Sequence, residues 1–287
     1  MNVLSLFDGM SCGQIALNKS NIKYDNYFAS EIKPHAIKVT QDNYPNTIQL
    51  GDVTKLSSNK LPSIDLLIGG SPCQDFSRGN EIRKGLNGGK SSLFFEYLRL
   101  LKECKPKYWL LENVIMDKFD CDTISNYVGT QPVRFNSSLV SAQLRDRLYW
   151  TNIGPGYFDL FGNRTSIIPE PKDKKIMLKD IITNGYTDRV KSRALLESDS
   201  RPLATTEKMW HRYKSTGFTT IVFEDDSLNW KNGLRYFNQT ELERLQTVPE
   251  GYTNSLSRNR AASLLGDGWT VDIISHIFSY LNSIWSV

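Results

Sequence analysis

The chain has 287 residues, 39% of them apolar and 23% charged, with 19 Gly and 11 Pro scattered along it. That composition fits a folded globular protein and excludes disordered and fibrous classes. No window supplies the roughly eighteen uninterrupted apolar residues of a membrane span, and Asp8 interrupts the N-terminal apolar run, so a cytoplasmic protein without membrane association is expected. The net charge is +4, and the four cysteines (Cys12, Cys73, Cys104, Cys121) form no CxxC pair beside only three histidines. Neither a disulfide framework nor a bound metal is expected.

In chain order, strands are predicted at Val3–Phe7, Tyr27–Ser30, Leu66–Gly69, Tyr108–Glu112 and Leu148–Asn152. Helical patterns fall between them at Gly13–Lys19, at Pro34–Asn43 and at Leu93–Cys104, where Leu93, Phe94, Tyr97, Leu98 and Leu101 share one face. The alternation predicts an α/β, doubly wound, Rossmann-like sheet over residues 1–152. The texture then turns rich in turn formers, which predicts a small second lobe over 153–232. A C-terminal segment, 233–287, begins a helix with Asn238 as N-cap and ends in an apolar helix over Val271–Ile284.

Four stretches can carry chemistry. FDGMSCG, Phe7 to Gly13, follows a strand and opens a helix, where glycines permit close approach and helix amides offer donors. Glu31 ends the next strand, suited to ribose hydroxyls, and Asp52 follows a third short apolar stretch, suited to an adenine amino group. The G-x-x-x-G spacing differs from the G-x-G-x-x-G of nicotinamide dehydrogenases. In GGSPCQDFS, Gly69 to Ser77, Cys73 lies among small and polar residues, where a thiolate can be exposed; a packing role is the bland alternative. Glu112 in ENV is costly to bury unless paired or protonated, and the protonated form is a proton donor. In QLRDR, an extended backbone puts Gln143, Arg145 and Arg147 on one face.

These motifs, in this order, with LRYFNQTELERLQTVPEGY and GDGWTVDIISHIF near the C-terminus, resemble the cytosine-C5 DNA methyltransferases. The resemblance spans the chain outside the 153–232 lobe. RKGL (Arg83–Leu86), LFFE, RPL (Arg201–Leu203) and Trp269 are most similar to the catalytic domain of the animal de novo DNA methyltransferases. GDGWTV, with Asp267 and Gly268, stands where most bacterial members have a G-N-S-V type sequence.

The resemblance implies S-adenosyl-L-methionine as cofactor, held by Phe7, Asp8, Gly9, Cys12, Gly13, Glu31, Ile32, Asp52, Val53, Leu93 and Trp269. It implies a flipped cytosine attacked at C6 by Cys73, with Glu112 on N3, Arg145 on the O2 edge and Arg147 in support. It implies double-stranded DNA as partner, with contacts from Gln74, Ser77, Arg78, Arg83, Lys84, Arg201, Thr205, Thr206, Thr219 and Thr220. The window Lys172–Lys214 carries eleven Lys and Arg against six Asp and Glu, as a lobe resting on phosphates requires. Two other readings are a transfer-RNA cytosine methyltransferase and an inactive regulatory partner; the second conflicts with the presence of Cys73, Glu112, Arg145 and Arg147.

Overall fold

The computed structural model describes residues 1–71, 92–160, 162–196, 203, 205–215 and 221–282. The chain runs β1 (Asn2–Leu6), α1 (Cys12–Lys19), β2 (Asn26–Ser30), α2 (Pro34–Asn43), β3 (Ile48–Gln49), β4 (Leu66–Gly70), α3 (Ser92–Cys104), β5 (Tyr108–Val114) and α4 (Lys118–Val128). There follow β6 (Thr130–Gln131), β7 (Val133–Asn136), β8 (Gln143–Leu144), β9 (Asp146–Thr151), β10 (Gly156–Phe158), β11 (Arg164–Ser166), α5 (Leu178–Ile181) and β12 (Ser192–Arg193). The remainder is α6 (Thr206–Ser215), β13 (Val222–Phe223), β14 (Leu234–Arg235), α7 (Gln239–Leu245), α8 (Arg258–Asp267) and α9 (Val271–Asn282).

Seven strands form the central sheet in the order β3-β2-β1-β4-β5-β9-β7. The first five are parallel, and β9 lies antiparallel to both β5 and β7. The α/β architecture and the five predicted strands are therefore present. β3 and β7 are additions, both short and at most partly buried, so they lack the apolar run by which the others were read.

Strand alternation divides the core between the two faces of the sheet. Val3, Leu66, Ile68, Tyr108 and Leu110 pack with α1, α2, α8 and α9, whereas Leu4, Leu6, Leu67, Trp109 and Leu111 pack with α3 and α4. Local chemistry sets the helix ends. Pro34 opens α2, Asp117 caps α4 by accepting from the Asp120 amide at 2.9 Å, and Gly129 ends α4 in the left-handed region. Asn238 and Glu241 cap α7 reciprocally.

Beyond β9, Ile153, Ile168, Leu178, Ile181 and Leu195 join the main core. A separate small cluster is built from Met209, Tyr213, Ile221, Phe223 and Leu234, flanked by a stacked Trp210–Trp230 pair with centroids 6.2 Å apart. No helix among the described residues is long and apolar enough to cross a membrane.

Gly13 shows how tightly α1 sits on the sheet. A Cβ there would lie 2.6 Å from the Tyr27 hydroxyl and closer still to Ile68, so the missing side chain is what lets the helix pack on β2 and β4. Gly13→Ala is expected to destabilise the fold by about 1–3 kcal/mol through overpacking, read as a lower midpoint in urea unfolding. An unchanged midpoint would show that the helix shifts without cost.

Candidate active site

The strand order reverses between β1 and β4, and in open α/β sheets the crevice at the carboxyl ends of such strands is where ligands bind. One cavity lies there. It is lined by Phe7, Asp8, Gly9 and Cys12 after β1, Ser30 to Lys33 after β2, and Gly51 to Val53 after β3. Gly70 and Ser71 from β4, Leu93 from α3, Glu112 and Val114 from β5, Arg145, Arg147, Leu264 and Gly266 to Trp269 complete the wall. Ten of the eleven residues expected to hold the cofactor thus converge. Gly13 stands behind the wall and serves packing, as its contacts show.

The loop after β1 is bent by left-handed backbone at Phe7 (φ 57°), Gly9 (φ 61°) and Ser11 (φ 60°), a strained path for the two non-glycine residues. It turns the Gly9 amide onto the Glu31 carboxylate at 2.8 Å. The other Glu31 oxygen accepts from the amides of Ile32 (2.7 Å) and Lys33 (2.9 Å), so the carboxylate is aimed before any ligand arrives. Asp52 is held likewise by the Thr54 amide (3.0 Å) and hydroxyl (2.8 Å), which lower its pKa, the amide foremost. Beside these acids Ile32 stands 69% exposed, an uncovered apolar surface at a cavity wall that also holds Phe7 and Val53.

Deeper in the same wall, Asp8 accepts hydrogen bonds from the hydroxyls of Ser11 and Tyr27, the latter at 2.7 Å. Burial pushes its carboxyl up to about 6 against the opposing effect of those donors. Burial also pushes the Cys12 thiol up to about 12, which keeps it protonated and unreactive near neutrality.

At the other end of the cavity Glu112 lies buried near the end of β5, beside buried Asn113. One oxygen pairs with Nε of Arg147 at 3.1 Å, and the other accepts from Nε1 of Trp269 at 3.1 Å. The register explains the first contact: Glu112 faces Tyr149 on β9, which puts Arg147 diagonally opposite on the same side of the sheet. Gly70 on β4 faces Glu112 from the other side, and a Cβ there would come within 2.9 Å of both Glu112 Oε2 and Trp269 Nε1. Next to Glu112, buried Asn113 donates to the Ser71 hydroxyl at 3.1 Å, fastening β5 to the end of β4.

Arg145 also lines the cavity, its buried guanidinium donating to the carbonyls of Leu195 (3.1 Å), Gly266 (3.1 Å) and Gly268 (2.9 Å). Gln143 does not share this face. Its amide is buried against Leu245 and Gln246 of the C-terminal segment, because β8 pairs with β12 and not with the sheet. The single extended run expected for QLRDR is broken at Arg145.

Cys73, Gln74, Ser77, Arg78, Arg83, Lys84, Arg201, Thr219 and Thr220 lie outside the described residues. Thr205 is exposed at the start of α6, its hydroxyl accepting from the Lys208 amide at 3.2 Å, and Thr206 is half-buried beside it. Within the basic window Lys191 is committed elsewhere, its ammonium donating to the carbonyls of Ser138, Ser141 and Ile176. Among the described residues no cluster of His, Cys, Asp or Glu could hold a metal ion.

Sequence reasoning did not find Gly70, Lys33 or the Asn113–Ser71 bond. The doubled glycine before SPC was the available signal for the first; the other two depend on tertiary packing.

Residues 1–116 match the family described as C-5 cytosine-specific DNA methylase, so the resemblance read from the motifs holds over this segment. The orphan methyltransferase M.Rho11sI of Bacillus phage rho11s is 41% identical over 116 residues, 40% of this chain and 23% of that protein. The type II methyltransferase M.NgoBV of Neisseria gonorrhoeae is 40% identical over 115 residues, 39% of this chain and 27% of that protein. The chain therefore aligns with about a quarter of the length of these curated relatives. Over the whole chain the fold is similar to the Entamoeba histolytica methyltransferase EhMeth (TM-score 0.72, 17% identity, 100% and 99% of the two chains). It is also similar to the S. pombe Dnmt2 methyltransferase (TM-score 0.68, 18% identity, 100% of both chains).

The raised Asp8 carboxyl has a stability consequence with a definite sign. The folded state keeps its proton up to about pH 6 while the unfolded chain releases it near 4, so this group costs stability as pH rises through that interval. Relative to Asp8→Asn, the wild type should lose about 1–3 kcal/mol between pH 4 and 6.5 and change little above pH 7. Urea titrations across that range that give a pH-independent difference would contradict it.

Proposed function

We propose that this protein is an S-adenosylmethionine-dependent methyltransferase that methylates C5 of cytosine in double-stranded DNA. The observation that carries the reading is the convergence of two sets of residues on one cavity at the switch point of the sheet. Glu31 and Asp52 provide aimed carboxylates flanked by Phe7, Ile32 and Val53; Glu112, Arg145 and Arg147 provide a polar end beside them. The chain leaves this cavity at Ser71, two positions before Cys73 in sequence.

The residues fit the cofactor. Glu31 would take the ribose hydroxyls, Asp52 the adenine amino group, and Phe7, Ile32 and Val53 the faces of the base. When bound, S-adenosylmethionine supplies a methyl group made electrophilic by a sulfonium.

Cytosine inside a duplex cannot present C5 and C6 to such a pocket, so the base is extruded first. The Cys73 thiolate then forms a bond to C6, which sends electron density to C5. Glu112, oriented by Arg147 and Trp269, shares a proton with N3 and so stabilises the enamine, while Arg145 lies toward the O2 edge. After C5 has gained the methyl group, loss of its proton reforms the double bond and expels the Cys73 sulfur. The buried thiol of Cys12 offers no competing nucleophile. The 153–232 lobe would rest on the duplex, with exposed Arg193 and the α6 side chains Lys208 and Lys214 facing phosphates; Lys191 is excluded from that role by its carbonyl contacts.

Cys73→Ser is expected to abolish methyl transfer, to well under about a tenth of wild type, with cofactor affinity preserved, because a hydroxyl is a far weaker nucleophile of similar size. Tritiated methyl groups should enter duplex DNA and not transfer RNA, and duplex bearing 5-fluorocytosine at the target should trap a covalent complex. Incorporation into transfer RNA alone would replace the DNA reading with the RNA one; failure to trap at an established target site would remove the covalent step.

A further inference from the structure

The segment Gly266–Trp269 crosses one wall of the cavity and is fastened from within. Arg145 holds the carbonyls of Gly266 and Gly268, Trp269 donates to Glu112, and Gly268 sits so near Met10 and Cys12 that a Cβ would lie 3.2 Å from the Met10 methyl and 3.4 Å from Cys12 Sγ. These contacts join the segment to the floor and to the Glu112 end. Asp267 points differently. Its Oδ2 accepts from Nζ of Lys33 at 2.8 Å, and Lys33 belongs to the opposite wall, two residues past Glu31 in the loop between β2 and α2. Both side chains line the cavity, and both are about half exposed, 50% for Lys33 and 45% for Asp267.

We propose that Lys33 and Asp267 form an ionic latch that closes the rim of the cavity over the bound cofactor and slows its release. The proposal rests on the cofactor reading above and gives Asp267 a role. A rim pair between two residues far apart in sequence joins the ribose-binding wall to the C-terminal segment, so dissociation of a ligand lying beneath requires the pair to part or the ligand to thread past it. The pair is solvated, so its effect is modest and screened by salt. The alternative arrangement of the same charges is that Lys33 reads the carboxylate of the ligand's amino-acid end, in which case Asp267 would compete with the ligand for it.

The experiment is the dissociation rate of S-adenosylmethionine from the full chain without nucleic acid, followed by stopped-flow tryptophan fluorescence, Trp269 being in the cavity wall. At low ionic strength Lys33→Gln, Asp267→Asn and the double variant should each speed release by about 2- to 5-fold and by the same factor, since removing either partner removes the latch. The reversal, Lys33→Asp with Asp267→Lys, should recover most of the loss, and salt should accelerate release from the wild type more than from the single variants. Faster release from Lys33→Gln with unchanged or slower release from Asp267→Asn would overturn the latch in favour of direct ligand reading by Lys33. Equal rates for the wild type and all of these variants would overturn it outright. An absence of any S-adenosylmethionine binding by the wild type would instead overturn the cofactor reading on which the latch depends.

Discussion

Glu112 is held from two sides, and much of the cavity follows from that. Its carboxylate can meet Arg147 only because β9 runs antiparallel to β5 in a register that sets the two residues diagonally on one face. It can meet Trp269 only because Gly70, its neighbour on β4, has no side chain to fill the intervening space. A carboxyl at this depth is costly unless its oxygens find donors, and the two donors come from segments remote in sequence. The same pairing therefore fixes the end of the parallel sheet, its antiparallel extension and the C-terminal segment about a single point. Arg145 and Asn113 extend this fastening, the first to Gly266 and Gly268, the second to Ser71, two positions before Cys73 in sequence.

The far end of the cavity follows a different rule. There the acids are positioned by backbone amides, three on Glu31 and one on Asp52, so their orientation is set by loop conformation. The left-handed residues Phe7 and Ser11 are part of that arrangement, since they bend the loop that brings the Gly9 amide to Glu31.

The sequence made most of the sheet legible, because strands buried on both faces leave runs such as Val3–Leu6 and Leu66–Ile68 that end abruptly in Gly or an acid. For the same reason Glu31, Asp52 and Glu112 stood out. What escaped was set by tertiary partners. β7 is short and half covered, and α8 buries mainly small residues, Ala261, Ala262 and Gly266 beside two leucines, so neither shows a strong apolar period. Gly13 looked like a ligand-approach glycine and proved to be the space for Tyr27, since residue type alone does not say which side of a turn faces the cavity. Gln143 left the arginine face because its amide meets Gln246 and the Leu245 carbonyl, more than a hundred residues away in sequence. Lys191, inside the basic window expected to rest on phosphates, serves as a brace, a role that only its three carbonyl partners disclose.

The central claim, that Glu112 and its neighbours form the pocket of a cytosine-C5 methyltransferase acting on DNA, is tested most directly by bisulfite sequencing of DNA from cells expressing the protein. The account predicts cytosines that resist conversion in a fixed sequence context, present with the wild type and absent with Glu112→Gln. Complete conversion in cells that produce the folded wild-type protein, or an identical pattern with the variant, would contradict it.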